Sequence, residues 1–204
     1  MTEYNNFLKQ KIAKCIVPKS KVLDLGCGNG NLLNFLIEKK QINGYGIDLD
    51  FNNIVNCIKE KIPAFQGNIE DCLTAFGDNS YDTVILSQTL QETKNPVKVL
   101  QELLRIGKKG IVTFPNFGYW QTRLQLLAGS PPVTKTLPYE WYNTPNIRII
   151  TIKAFRKLCK EQNISIIKEI PIFNHSILTT IIPKNLSNLV CKRGIFIIQK
   201  NITN

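Results

Sequence analysis

The chain has 204 residues and a mass of 23.2 kDa, a length typical of one domain that buries its core without metals or disulfides. Hydrophobic residues make up 43% and charged residues 20%, which excludes a disordered or fibrous chain. No apolar run approaches the roughly 18 residues of a membrane-spanning helix, so an integral membrane protein is excluded. The N-terminal residues contain no continuous apolar stretch, so we expect no secretory signal and a cytoplasmic location.

The net charge of +11 suits a nucleic-acid-binding protein, because clustered cations bind phosphates through counterion release. Two features of the charge pattern argue against this function. Lysine outnumbers arginine by 21 to 5, whereas bidentate phosphate recognition favours arginine. The lysines are also spread along the chain, in no run longer than a pair. Nucleic-acid binding is therefore disfavoured.

The six cysteines are scattered and contain no C-x-x-C pair, and His175 is the only histidine. We therefore expect no zinc site, and no metal at all. Cys57, Cys72 and Cys159 stand among apolar residues, which predicts small buried side chains. A reducing compartment fits all six: Cys15, Cys27, Cys57, Cys72, Cys159 and Cys191.

Strand and helix patterns alternate along most of the chain, and no linker divides it. This order predicts one α/β domain over residues 1–204, with a three-layer, doubly wound, mostly parallel seven-stranded sheet. The predicted helices span residues 4–15, 31–39, 51–60, 95–105 and 151–162. The predicted strands span residues 21–25, 44–49, 63–66, 81–87, 110–114, 164–172 and 194–200. Asp50 is positioned to cap the third predicted helix.

Residues 116–150 interrupt this alternation with four prolines and a group of aromatic residues. A long insertion in a compact domain is usually functional, as a lid or a docking surface. The alternative is that its aromatic side chains only pack the insertion onto the sheet. These aromatic residues are Phe117, Tyr119, Trp120, Tyr139, Trp141 and Tyr142.

The strongest local pattern is a predicted strand that carries Asp24 and runs into a turn with Gly26, Gly28 and Gly30. Glycines are needed where a backbone turns sharply or a ligand approaches too closely for a Cβ atom. The spacing is G-x-G-x-G, and Asn31 stands where a dinucleotide-binding turn has its third glycine, so a pyrophosphate site is disfavoured.

A second acidic residue, Asp48, follows 20 residues after Gly28, at the end of the second predicted strand. In doubly wound sheets an acidic residue at that position accepts hydrogen bonds from a ribose diol. The two acidic residues and the three glycines together therefore predict a nucleoside-containing ligand at the carboxyl ends of the strands.

This constellation resembles the class I S-adenosyl-L-methionine-dependent methyltransferases. The resemblance implies that Asp24 helps hold the methionine ammonium, that Asp48 binds the ribose and that Asn68 and Ile69 flank the adenine. The family often has an aspartate where this chain has Asn68, whose amide also suits an adenine amino group. The implied residues for S-adenosyl-L-methionine or S-adenosyl-L-homocysteine are Asp24, Gly26, Cys27, Gly28, Gly30, Asp48, Leu49, Asn68, Ile69 and Ser87.

Three further segments, at residues 86–91, 110–118 and 137–147, are similar to the methionine biosynthesis protein MetW family. The similarity runs from about Lys21 to Ile172, the last 30 residues match less clearly, and residues 174–190 are a candidate local variation. It implies an accessory protein that binds S-adenosylmethionine and supports homoserine O-acetyltransferase, its implied partner.

No residue pattern identifies a catalytic centre for methyl transfer. The Asn/Asp-Pro-Pro-aromatic motif of amino-methyltransferases is replaced by Ser-Gln-Thr-Leu at residues 87–90, and no Pro-Cys pair of cytosine-C5 enzymes occurs. His175 is disfavoured as a base, while Glu92, Glu140 and Tyr142 are candidates to face an acceptor. Two alternatives to the accessory role stay open: a small-molecule methyltransferase with an unidentified acceptor and, on charge alone, an RNA methyltransferase.

Overall fold

The described residues form a seven-stranded sheet with strand order β3-β2-β1-β4-β5-β7-β6. The structure is a computed structural model and describes residues 3–173, 183 and 185–201, so His175 lies outside the described residues. The strands are β1 (Lys21–Leu25), β2 (Asn43–Asp48), β3 (Ala64–Gln66), β4 (Thr83–Ser87), β5 (Gly110–Pro115), β6 (Ile164–Ile172) and β7 (Arg193–Lys200).

Strands β1 to β5 pair in parallel, whereas β7 lies antiparallel between β5 and β6. The mostly parallel, doubly wound sheet that the sequence predicts is therefore confirmed. β5 is one residue longer than predicted, because Pro115 still pairs with Arg193 of the antiparallel neighbour.

Eight α-helices are described: α1 (Glu3–Ala13), α2 (Asn31–Lys40), α3 (Phe51–Lys59), α4 (Ile69–Cys72), α5 (Pro96–Ile106), α6 (Trp120–Leu127), α7 (Ile152–Glu161) and α8 (Ser187–Val190). The predicted cap is confirmed, since the Asp50 side chain accepts a hydrogen bond from the Asn52 N–H at 2.8 Å. Three helices are absent from the sequence prediction: α4 and α8 are single turns, and α6 lies inside the insertion.

Both faces of the sheet are covered, which explains why successive side chains on its central strands are mostly apolar. On β1, Leu23 and Leu25 pack into one core with α5 and α7, and Val22 packs into the other with α1, α2 and α3. Successive side chains on a strand point to opposite faces, so this alternation follows directly from the sequence Val-Leu-Asp-Leu.

Two of the three cysteines that the sequence places in the core are there. Cys57 and Cys159 are buried, and each packs into one of the two cores. Cys72 is only half-buried, which corrects the prediction; it ends the single turn α4, which packs on the edge of the core next to Phe65 of β3.

The insertion begins at a buried asparagine that makes four hydrogen bonds. The Asn116 Nδ2 group donates to the carbonyl oxygens of Asn188 at 3.0 Å and Cys191 at 2.7 Å. Its Oδ1 atom accepts from the backbone N–H groups of Gly118 at 3.0 Å and Ile152 at 3.2 Å. One side chain thus joins the start of the insertion to the beginning of α7 and to the segment that enters β7.

We predict that Asn116→Asp lowers the free energy of unfolding by about 2–5 kcal/mol, because a carboxylate of the same shape would place an oxygen against two carbonyl oxygens. Urea unfolding followed by circular dichroism measures this change. The matched control is Asn56→Asp on the exposed surface of α3, which we expect to cost less than about 1 kcal/mol. Equal losses in the two variants would contradict the role of Asn116.

Candidate functional site

Two adjoining cavities open at the carboxyl ends of the parallel strands, where doubly wound proteins bind their ligands. The first, here the Asp24 cavity, has a volume of about 400 Å³ and is lined by Asp24, Gly26 and Cys27, among others. The second, the Asp48 cavity, has a volume of about 540 Å³ and is lined by Gly28, Asp48 and Leu49, among others. They share four residues, Gly26, Ser87, Gln88 and Glu92, and so form one continuous groove.

Asp24 brings a carboxylate into the interior at the end of β1. Its side chain is 1% exposed, and its Oδ1 atom has no hydrogen-bond partner among the described residues. Burial and, to a smaller extent, the nearby charge of Asp48 together raise the pKa of Asp24 to about 7. A buried carboxylate in this state is stabilised by any cation that enters the cavity.

Gly28 and Gly26 serve the loop after β1 in two different ways. Gly28 has a φ of +54°, and a Cβ atom there would meet nothing within 4 Å, so its missing side chain leaves ligand space open. Gly26 has a φ of +74°, and a Cβ atom there would lie 2.4 Å from the Thr89 hydroxyl oxygen. The loop therefore needs glycine at one position for the cavity and at the other for packing.

Asp48 ties the glycine loop to the end of β2. Its Oδ2 atom accepts a hydrogen bond from the Gly28 N–H at 2.7 Å. Its Oδ1 atom accepts from the Asp50 N–H and from the Asn53 Nδ2 group, each at 3.0 Å. A carboxylate oxygen has more than one acceptor site, so this held carboxylate can still accept from a diol in the Asp48 cavity.

The far end of the Asp48 cavity combines apolar and amide groups. Leu49 is 68% exposed and lines the cavity together with Asn68 and Ile69. The Asn68 Oδ1 atom already accepts the Glu70 N–H at 3.0 Å and caps α4. Its second lone pair and its amide N–H groups remain for a ligand.

The structure places nine of the ten sequence-derived cofactor residues on the walls of the two cavities. Ser87 lies at their junction, and its hydroxyl is 3.1 Å from that of Thr113. Gly30 lines neither cavity, and a Cβ atom there would lie 2.6 Å from Ile62. Cys27 lines the Asp24 cavity, but burial raises the pKa of its thiol so strongly that it stays protonated.

Sequence reasoning missed several polar residues on the cavity walls, among them Gln88, Gln91 and Arg193. Gln88 directly follows β4, Gln91 lies in the short helical turn after it, and Arg193 begins β7. Their places at strand ends were the available signal, because ligands bind where the strand order reverses. Glu92, a sequence candidate, lines both cavities, and burial raises its pKa. Glu140 and Tyr142, the other two candidates, line neither cavity.

The insertion contributes residues to the groove and also carries exposed aromatic rings. Pro138 and Tyr139 line the Asp24 cavity, whereas Trp141 and Tyr142 are 72% and 70% exposed. The segment is attached through Gln91, whose carbonyl oxygen accepts from two consecutive backbone N–H groups, at residues 147 and 148, each at 3.0 Å. The lining residues and the exposed aromatic pair thus belong to one segment, and its interpretation as a lid or as a docking surface stays a prediction.

Among the described residues, no group of three or more His, Cys, Asp or Glu side chains is arranged to hold a metal ion. No helix in the same part of the chain is long and apolar enough to cross a membrane.

We predict that Asp24→Asn stabilises the unliganded protein at pH 8 but has little effect near pH 4. The folded-state pKa of about 7 lies above the unfolded value of 3.8, so stability falls as pH rises between these values. The difference should reach roughly 2–4 kcal/mol above pH 7. Chemical unfolding of both proteins from pH 4 to pH 8 measures it, and a difference independent of pH would contradict the burial of this carboxylate.

Comparison with known proteins gives the family. The family model of the methionine biosynthesis protein MetW matches residues 7–198. The bifunctional methionine biosynthesis protein MetXA/MetW of Rhodopirellula baltica is 34% identical over 175 residues, which are 81% of this chain and 28% of the relative. The demethylmenaquinone methyltransferase of Bacillus cereus is 30% identical over 102 residues, 47% of this chain and 43% of the relative. The chain thus spans less than half the length of either curated relative.

Solved structures show the same fold at low sequence identity. A SAM-dependent methyltransferase from Archaeoglobus fulgidus has a TM-score of 0.67 at 15% identity, over 96% of this chain and 94% of that one. A SAM-dependent methyltransferase from Thermotoga maritima has a TM-score of 0.64 at 16% identity, over 97% of this chain and 89% of that one. With a methyltransferase-like fold and a family model that matches most of its length, the chain belongs to the methionine biosynthesis protein MetW family.

Proposed function

We propose that this protein binds S-adenosylmethionine in the groove and supports homoserine O-acetyltransferase as an accessory protein. The observation that carries the proposal is the relative from Rhodopirellula baltica, in which the matching segment is 28% of a chain named for both MetXA and MetW. We place the protein in the cytoplasm and treat its 204 residues as one domain.

The two cavities fit the two ends of S-adenosylmethionine. In the Asp48 cavity, Asp48 accepts from the ribose hydroxyls, and Leu49 and Ile69 flank the adenine with Asn68 at its polar edge. In the Asp24 cavity, the buried carboxylate of Asp24 meets the methionine ammonium. The cofactor would supply a sulfonium whose methyl group is electrophilic.

The outer side of the insertion supplies a surface for a protein partner. Trp141 and Tyr142 form an edge-to-face pair with ring centroids 5.7 Å apart, and both rings are mostly exposed. Large aromatic side chains of this kind dominate binding energy at protein interfaces. We assign this pair to the contact with the acetyltransferase, because the name of the relative joins MetXA and MetW in one chain.

Cofactor occupancy could then report methionine supply, because S-adenosylmethionine is made from methionine. The segment that carries the exposed aromatic pair also lines both cavities, through Tyr139 and Ile147. Coupling requires that the cofactor and the partner prefer the same arrangement of this segment.

A small-molecule methyltransferase is the second candidate function. It is favoured by the Asp24 cavity, which continues past the junction with the Asp48 cavity towards β5 and β7. Methyl transfer needs little beyond in-line positioning and, for some acceptors, removal of a proton. We assign no catalytic residue, and a broad acceptor screen for S-adenosylhomocysteine formation separates this candidate from the accessory role.

We predict that the protein raises the rate of its cognate homoserine O-acetyltransferase. Asp48→Ala should lose cofactor binding and show whether the effect needs the cofactor. The double variant Trp141→Ala/Tyr142→Ala should keep cofactor binding but weaken the effect by at least about tenfold, as expected when interface aromatic residues are removed. The acetyltransferase assay and calorimetric titration with S-adenosylhomocysteine measure the two properties.

Ile58→Ala is the matched control, because Ile58 is 62% exposed on α3, outside the insertion. It should leave both the rate effect and cofactor binding unchanged. An acetyltransferase rate that does not respond to the wild-type protein would contradict the accessory role.

A further inference from the structure

The two cavities of the groove meet at four residues that line both of them: Gly26, Ser87, Gln88 and Glu92. In the proposed fit, the adenosine occupies the Asp48 cavity and the amino-acid end of the cofactor occupies the Asp24 cavity. The sulfur atom links these two halves of the cofactor, so it has to lie where the cavities meet. The junction residues are therefore the ones that meet the sulfonium.

Glu92 is the charged member of this set, and the fold makes little use of its carboxyl group. Ser87 and Gln88 are both held by the hydroxyl of Thr113 on β5, at 3.1 Å and 2.9 Å. The Glu92 Oε1 atom accepts one long hydrogen bond, from the Gln91 Nε2 group at 3.4 Å. Within the described part of the chain, no salt bridge includes Glu92. Its carboxylate thus has no cationic partner there.

The other two carboxylates of the Asp48 cavity are committed to backbone groups. Glu70 accepts from the N–H groups of Lys94 at 3.0 Å and Asn95 at 2.6 Å, and Asp48 holds the glycine loop. Burial, and to a smaller extent the charge of Asp48, raises the pKa of Glu92. A carboxylate in such surroundings is stabilised by a cation beside it.

We propose that Glu92 makes the groove selective for the sulfonium form of the cofactor over its uncharged thioether, S-adenosylhomocysteine. At the junction the two ligands differ by one methyl group and one positive charge. The charged form adds an attraction to the Glu92 carboxylate that the thioether lacks. Because Glu92 is exposed, solvent screens part of this attraction, so we expect a moderate preference.

This inference deepens the proposed function and rests on it. A site that recognises only the adenosine and the ammonium treats both forms of the cofactor alike, because these groups are the same in both. A carboxylate at the junction separates the ligand that is made directly from methionine from the thioether that methyl transfer leaves behind. Occupancy of the groove would then follow S-adenosylmethionine itself rather than the sum of the two.

Calorimetric titration with three ligands tests the role of charge. The wild-type protein should bind S-adenosylmethionine at least about fivefold more tightly than S-adenosylhomocysteine at neutral pH and low ionic strength. Sinefungin carries a protonated amino group in place of the methylsulfonium group. It should share the preference over S-adenosylhomocysteine, because it keeps the positive charge without the sulfonium.

Two matched variants test the residue. Glu92→Gln keeps the size of the side chain and removes its charge, so it should weaken S-adenosylmethionine and sinefungin about fivefold while changing S-adenosylhomocysteine less than about twofold. Glu140→Gln changes an exposed glutamate of the insertion that lines neither cavity, and it should keep the wild-type preference. Circular dichroism of both variants checks that the fold is retained.

Each contrary result has a distinct meaning. Equal affinities for S-adenosylmethionine and S-adenosylhomocysteine in the wild type would overturn the inference and leave the proposed cofactor site intact. A preference that Glu92→Gln retains in full would overturn it in the same way. If none of the three ligands binds, the proposed cofactor site is wrong, and the inference is wrong with it.

Discussion

The buried carboxylate of Asp24 is the constraint around which the site is organised. It comes from a strand whose other side chains fill the two cores, so the fold holds it in place, and its Oδ1 atom finds no hydrogen-bond partner among the described residues. Burying an acidic group in this way costs stability in the unliganded protein. A cation that binds in the cavity offsets this loss of stability. In our account, that cation is the ammonium group of a methionine-derived ligand.

The remaining parts of the site follow from the same sheet edge. The hydrogen bond from the Gly28 N–H to Asp48 ties the glycine loop to the end of β2, so the loop and the carboxylate that we assign to the ribose are positioned together. The insertion is attached to the segment after β4 through the carbonyl oxygen of Gln91. A single segment therefore lines the ligand space and also exposes Trp141 and Tyr142. This arrangement is suited to coupling the binding of a ligand to the binding of a partner protein.

Local patterns predicted most of the fold, because each central strand is a short apolar run between glycine, proline or polar residues. The loop after β1 was also identifiable from the sequence, because Asp24, its three glycines and Asp48 are close together along the chain. Other residues of the Asp24 cavity were not, since Lys9, Gln91 and Arg193 come from three distant elements that meet only when the chain folds. The arrangement of the insertion could not be predicted either, because the sequence of an aromatic-rich segment does not show which rings line a cavity and which are exposed.

The most direct test compares the affinities of S-adenosylhomocysteine and 5′-methylthioadenosine, which share the adenosine but differ in the amino-acid end. The account predicts that the wild-type protein binds S-adenosylhomocysteine at least about 30-fold more tightly, and that Asp24→Asn loses most of this preference, because the ammonium loses its charged partner. Equal affinities in the wild type, or an undiminished preference in the variant, would contradict the assignment of Asp24 and with it the central claim.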